Sequence, residues 1–295
     1  MFKKRDVILS ETLVLLVNYN NYSDTLDCVQ SLERSVINNF EICIVDNCSQ
    51  DQSLQYFKIE FCLKEMEHNQ FLYWIGCIGN IKVHVFQNKS NLGFASANNV
   101  GINFARQKLF KYIWILNNDT VVFPETLSNL IGTAEGYMNI KTNIAIGARV
   151  LSYYTNDFDS DGFGYLNLIT SQTSHFSKYI AQKKYLVASS LFLNNSDYLP
   201  LMDERFFLYY EDIDYSIQLT KANYELIFDS SVLVRHKISA STKLNENIEN
   251  IKIESMVLFY KKNYRYLLPI LLATRLFYYV LKGRYNYLGL FLKQL

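Results

Sequence analysis

No aspartate or glutamate follows Glu254. Residues 256–295 carry seven bases instead: Lys261, Lys262, Arg265, Arg275, Lys282, Arg284 and Lys293. Residues 1–255 therefore hold 22 bases and 28 acids, a net charge of −6, while the whole chain nets +1. Such asymmetry points to an anionic partner for the C-terminal stretch. The five cysteines (28, 43, 48, 62 and 77) are odd in number and include no Cys-x-x-Cys pair, which excludes a zinc ribbon and a disulfide framework. A reducing compartment is the expectation. No apolar run reaches the ~20 residues that span a bilayer. The basic start, Met1-Phe2-Lys3-Lys4-Arg5, is not followed by a signal-peptide apolar region. There is also no Gly-x-Gly-x-x-Gly after the first apolar run, which argues against a dinucleotide dehydrogenase. No nucleic-acid partner is expected.

What is present centres on Tyr112-Ile113-Trp114-Ile115-Leu116-Asn117-Asn118-Asp119-Thr120. An apolar run of strand length ends abruptly in polar residues, the pattern of a buried parallel strand. In open α/β sheets ligands bind outside the carboxyl ends of strands, so Asp119 should stand at a ligand. A carboxylate with an amide two residues earlier suits a hard divalent cation that also holds phosphate oxygens. A turn stabilised by local Asn and Asp hydrogen bonds is the alternative.

The same grammar recurs along the chain. Leu13–Val17 reads as a strand ending in Asn18-Tyr19-Asn20, with Ser23 or Asp24 capping a helix. Glu41–Asp46 is a second strand with a terminal carboxylate, followed by a helix to about 65. Residues 67–80 read as an insertion, Ile81–Phe86 as a third strand, and Ala95–Lys108 as a helix rich in small residues. Pro124 opens another helix. Further strands are expected at Ile144–Leu151, Tyr185–Leu193, 224–229 and 231–235. Residues 152–180 look like an active-site loop or hairpin containing the turn at Asp161. In 202–214 five acids sit among aromatics, and a helix is expected over about 212–222, with Asp214 on its exposed face. Strands alternating with helices predict a Rossmann-like, mostly parallel sheet flanked by helices.

Six motifs stand in one order: Asn18-Tyr19-Asn20; Val45-Asp46-Asn47-x-Ser49; Asn91-Leu92-Gly93-Phe94-Ala95 with Asn98-Asn99-Val100-Gly101; Leu116-Asn117-Asn118-Asp119-Thr120; Asp203 to Asp214; and His236. In these the chain resembles family 2 glycosyltransferases of GT-A fold over roughly 12–240, especially the rhamnosyltransferase-like and galactofuranosyltransferase-like branch. The resemblance implies inverting transfer of a sugar from a nucleoside diphosphate donor, dTDP-rhamnose or a UDP-sugar, with Mn²⁺ or Mg²⁺. It makes Asp46 the contact to the base and places Val17, Asn18 and Tyr19 along the nucleotide. Asn91 and Gly93 fall near the nucleoside, and Asn117, Asn118 and Asp119 at the diphosphate. Asp119, His236 and Asn117 become the metal ligands, and Asp212 the general base with Glu211 as its rival or its orienting neighbour. Two departures stand out: Asn117 replaces the first carboxylate of the family's Asp-x-Asp, and Ser189 replaces a glycine near the donor sugar.

The expected organisation is a catalytic domain over 1–245 (nucleotide half 1–120, acceptor half 121–245) and a tail over 246–295. That tail has ten aromatics between Phe259 and Phe291, and Arg275 interrupts its most apolar part. It reads as amphipathic helices lying on an anionic membrane surface, with packing on the catalytic domain or a homodimer contact as alternatives. A lipid-linked saccharide acceptor in cell-surface polysaccharide synthesis, at the cytoplasmic face of the cell membrane, fits this reading. Aromatics Phe206, Phe207, Tyr209 and Tyr210, with Asp161, are candidates for the acceptor cleft, as is core packing for the rings. A sugar nucleotidyltransferase and a scaffold that binds nucleotide sugars without turnover stay open as alternatives.

Overall fold

The computed structural model describes residues 10–68, 70–138, 143–175, 182–237, 246–283, 289 and 291. Its first half is built of β1 (Thr12–Asn18), α1 (Tyr22–Glu33), β2 (Phe40–Asp46), α2 (Ser53–Glu60), β3 (Lys64–Met66), β4 (Leu72–Ile78), β5 (Ile81–Gln87), α3 (Gly93–Gln107) and β6 (Tyr112–Asn117). The second half runs through β7 (Thr120–Val122), α4 (Thr126–Met138), β8 (Ile144–Ser152), β9 (Phe158–Ser160), β10 (Phe163–Asn167), β11 (Thr173–Ser174), β12 (Gln182–Leu186), β13 (Ser190–Asn194), α5 (Glu211–Lys221) and β14 (Glu225–His236). Helices α6 (Glu246–Asn263) and α7 (Leu268–Leu281) follow.

The main sheet has the order β3-β4-β5-β2-β1-β6-β13-β8-β14-β7, with β9 on β8. Its centre, β5-β2-β1-β6, is parallel. Successive residues of these strands face opposite layers. Val14, Leu16, Ile42, Ile44, Trp114 and Leu116 pack with α1, α2 and α4 residues such as Val29, Leu32, Phe57 and Leu127. Leu13, Leu15, Cys43, Val45, Ile113 and Ile115 pack with α3 residues on the other side. Burial on both faces explains the unbroken apolar runs. Helix α3 lies close because its contact residues are small: a Cβ on Gly101 would stand 2.1 Å from Leu15 Cδ1.

The α/β architecture expected from the sequence is present, with differences in detail. Within the stretch read as an insertion, β4 extends the sheet, pairing antiparallel with β5 and with β3. The run Tyr185–Leu193 is broken at residues 187–189: β12 joins a small three-stranded sheet with β10 and β11, whereas β13 inserts between β6 and β8. The two short strands expected over 224–235 are one strand, β14, with an irregularity between Asp229 and Leu233. Helix α2 ends at Glu60, short of 65. Among the described residues no helix is long and apolar enough to cross a membrane.

Helix α6 shares a core with the acceptor half. Ile253, Met256, Val257, Phe259 and Tyr260 are buried against Phe206, Tyr210, Ile213 and Ile217. Lys262 Nζ, Asn263 Nδ2 and Gln218 Nε2 donate to the Asp214 carboxylate at 2.7, 2.8 and 2.8 Å. Asp214 is 1% exposed, so its placement on the outer face is corrected. The helical repeat is offset by about one residue: the tail covers the face on which Asp214 lies. Of the two alternatives for the tail, α6 takes packing on the domain.

Candidate active site

Three strand ends converge. At β1 and β2, Asn18 Nδ2 donates to Asp46 Oδ1 at 2.9 Å, and Ser49 Oγ donates to the same oxygen at 2.5 Å. Gln87 Nε2 and the Ser49 amide reach Asp46 Oδ2 at 3.1 and 3.2 Å. Asn18 and Asp46 are 0% exposed. Asp46 is thus spent internally, fixing the turn after β2, and a contact to a base would require exchanging one of these partners. Val17 is half-buried and Tyr19 exposed at the same edge.

The next loop is tied down by Asn47, whose amide nitrogen donates to Asn91 Oδ1 at 2.8 Å and to the Gly93 carbonyl at 3.2 Å. Its oxygen accepts from Asn88 Nδ2 at 2.9 Å. Gly93 has φ +84, and a Cβ there would lie 2.4 Å from the Phe207 carbonyl oxygen. The Phe94 amide donates to that same oxygen at 2.8 Å. Gly93 is therefore where the loop of the acceptor half seats on the nucleotide half. Asn99 completes the seat, bonding both the Met202 carbonyl and the Met202 amide at 2.9 Å.

The pairing of β14 with β7 sets His236 opposite Thr120, beside Asp119. His236 Nε2 lies 2.9 Å from Asp119 Oδ1 and 3.4 Å from Asn117 Nδ2. Asn118 turns away, donating to Thr25 Oγ1 at 2.8 Å and stitching the triplet to α1. Lys237 extends the ladder, its amide donating to the Asp119 carbonyl at 2.9 Å. Its ammonium is held by Asp24 at 2.7 Å and Asp27 at 2.5 Å. Burial alone would lower the Lys237 pKa, but the two carboxylates outweigh it and hold it above the ordinary value. Lys237 carries no sequence signal, because a partner 213 residues away leaves no local pattern; Asn47 and Asn99 stand in the quoted motifs, but their seating role depends on distant partners.

Glu211 and Asp212 stand in the first turn of α5. Tyr209 and Tyr210 precede them with φ +69 and +65, a left-handed pair that swings the helix start into place. Free N–H groups at a helix start favour ionised carboxylates. Burial wins here: it pushes both the Glu211 and Asp212 carboxyls above the usual carboxylate range, and the Asp212 charge pushes Glu211 further. Asp212 is half-buried and accepts from the Ile213 amide at 2.8 Å; Glu211 is 8% exposed, and its Oε2 has no hydrogen-bond partner among the described residues. Of the two, Asp212 has the more open face.

A cavity of about 340 Å³ brings these groups together, its lining including Asn117, His236, Ser189, His175, Glu211 and Asp212. Ser189 is 5% exposed and its Oγ has no hydrogen-bond partner among the described residues. Asp161 does not line it; its Oδ1 accepts from the Phe163 amide at 3.1 Å and shapes a turn. Of the rings expected at an acceptor cleft, Tyr209 lines this cavity, while Phe206 is 0% exposed in the core.

A parallel α/β half that ends in amides and carboxylates, sharing one cavity with a helix start that carries two carboxylates, is the architecture of a glycosyltransferase. The glycosyl transferase family 2 model matches residues 13–186, more than half of the chain, and the chain belongs to that family. It is a glycosyltransferase enzyme. Among solved structures, residues 1–349 of TarS from S. aureus are similar at TM-score 0.53 and 13% identity, covering 90% of this chain and 70% of that one. The same fragment in complex with UDP-GlcNAc gives TM-score 0.52 at 13% identity, covering 90% and 71%. The mannosyltransferase PcManGT from Pyrobaculum calidifontis, in complex with GDP-Man and Mn²⁺, gives 0.53 at 11% identity, covering 90% and 74%. No curated protein sequence is significantly similar to the chain.

Proposed function

We propose that the enzyme moves a sugar, with inversion, from a nucleoside diphosphate donor to a saccharide acceptor, and that Asp212 takes the proton of the attacking hydroxyl. The observation that carries this is the single cavity lined by Asn117, His236, Glu211 and Asp212. The donor's nucleotide lies over the ends of β1 and β2, at Val17, Tyr19 and Asn91. Inversion needs attack from the face opposite the leaving group, and Asp212 shares one cavity with His236.

A divalent cation, Mn²⁺ or Mg²⁺, fits the donor set: a carboxylate oxygen of Asp119, an imidazole nitrogen of His236 and the side-chain amide of Asn117. Among the described residues no group of three or more His, Cys, Asp or Glu could hold a metal ion, and Asp119, His236 and Asn117 would hold the cation beside the donor's diphosphate. When bound, it supplies Lewis-acid stabilisation of the leaving diphosphate. Asn117 in place of a carboxylate weakens that affinity. The Mn²⁺ in the PcManGT complex supports the reading. The donor is a UDP-sugar or dTDP-rhamnose; UDP-GlcNAc on a TarS fragment favours the former.

The acceptor is lipid-linked and the enzyme sits on the cytoplasmic face of the membrane. Helix α7 supports this. Its Ile270, Phe277, Val280 and Leu281, with Tyr266 just before it, are large, exposed and spaced along one helical stripe, flanked by Arg265 and Lys282. A thermal-shift screen of UDP-, GDP- and dTDP-sugars with and without Mn²⁺, followed by a donor-consumption assay, tests the function. Donor-dependent stabilisation with turnover supports transfer. Binding without turnover across varied acceptors would show a scaffold instead.

A further inference from the structure

Glu211 and Asp212 also line a second cavity, of about 490 Å³, which includes neither Asn117 nor His236. Its outer walls are the turn at Ser171, α6 at Glu249 and Lys252, and α7 at Arg275 and Tyr278. Glu249 and Lys252 are three apart on one helix, within reach of each other, so their charges offset. Arg275 is different. Its Nη2 donates to the Ser171 carbonyl at 2.8 Å, and its Nε is buried without a hydrogen-bond partner among the described residues. No ion pair of Arg275 occurs among those residues. Glu211 Oε2, on the same cavity, is likewise without a hydrogen-bond partner among the described residues. A guanidinium with no ion pair among those residues, over the Tyr278 ring, and a pair of carboxylates thus line one tyrosine-rich space, whose size is that of a small-molecule site.

We propose that this cavity is the acceptor subsite and that it takes a saccharide bearing an anionic group, a phosphate or a carboxylate. Arg275 holds that group, while the accepting hydroxyl faces Asp212. Tyrosine faces suit the C–H surface of a sugar ring, and a guanidinium fork suits either oxyanion. The inference rests on the glycosyltransferase reading and gives the basic tail a part in recognising substrate.

The test uses the full chain with saturating UDP, so that the donor cavity is filled. Glucose 1-phosphate, glucuronate and methyl glucoside are compared by saturation-transfer NMR. The expected result is binding of one or both anionic sugars about tenfold or more tighter than the neutral one. That preference should be lost in Arg275→Gln, partly kept in Arg275→Lys, and weakened in Lys252→Gln, which alters an exposed side chain. A preference for the phosphate assigns the anion to a phosphate-linked carrier, and a preference for the carboxylate to an acidic glycan. Equal binding of all three sugars, or an unchanged preference in folded Arg275→Gln, would overturn the proposal. Failure of UDP, dTDP and GDP alike to bind would overturn the donor reading and the acceptor subsite with it.

Discussion

Nε2 of His236 stands 2.9 Å from Oδ1 of Asp119, two side chains 117 residues apart joined because β14 runs antiparallel to β7. A divalent cation bound here would have both side chains as ligands. Asp119→Ala and His236→Ala should each lower metal-dependent donor turnover at least as much as losing an outer-shell partner does, ~10–100-fold. Donor titrations with and without Mn²⁺ check this; unchanged turnover in both variants would remove the pair from the site.

Asp212 and Glu211 set the acid limb of the pH profile. Attack needs the base unprotonated, and both carboxyls hold their protons above the ordinary range because they are buried. Activity should therefore fall as pH drops through a value higher than that of a solvent-exposed carboxylate. Asp212→Asn should cost about 10²–10⁴-fold in kcat with UDP affinity unchanged. A flat profile down to pH 4.5 would assign the proton to another group.

Gly93→Ala should loosen the seat of the acceptor loop. The backbone is left-handed there, and the added methyl meets the Phe207 carbonyl. Strain of about 1–3 kcal/mol is expected, read as a lower Tm together with a weakened acceptor KM. An unchanged Tm would show that the Phe207 segment yields freely.

Phe259→Ala tests whether α6 belongs to the catalytic core. Phe259 is 0% exposed against Tyr210. The loss should be about 3–5 kcal/mol, measured as a shift in denaturation midpoint with one cooperative transition. A separately melting tail would instead leave the main transition in place.

Phe277→Ser with Leu281→Ser tests the membrane reading. Both side chains are exposed, so stability should hold while sedimentation with anionic liposomes falls. Equal sedimentation of the double variant would direct attention to a second copy of the chain or another covering partner for this stripe.

The sheet centre was legible because strands buried on both faces must be apolar throughout, as at Leu13–Val17 and Ile113–Leu116. The residues of the site were legible only as strand ends. That Asp46 would be consumed by Asn18, Ser49 and Gln87 depends on three segments meeting, which no spacing records. Tyr185–Leu193 misled for a related reason: an apolar run does not show that its two ends enter different sheets. The tail left its alternatives open because aromatic and basic residues suit a lipid interface and a protein groove alike; α6 packs on the domain.

Glu211 and Asp212 line both cavities. With donor and acceptor taking one cavity each, neither has to leave before the other arrives. Steady-state kinetics with no compulsory order of addition are the natural outcome of that floor plan.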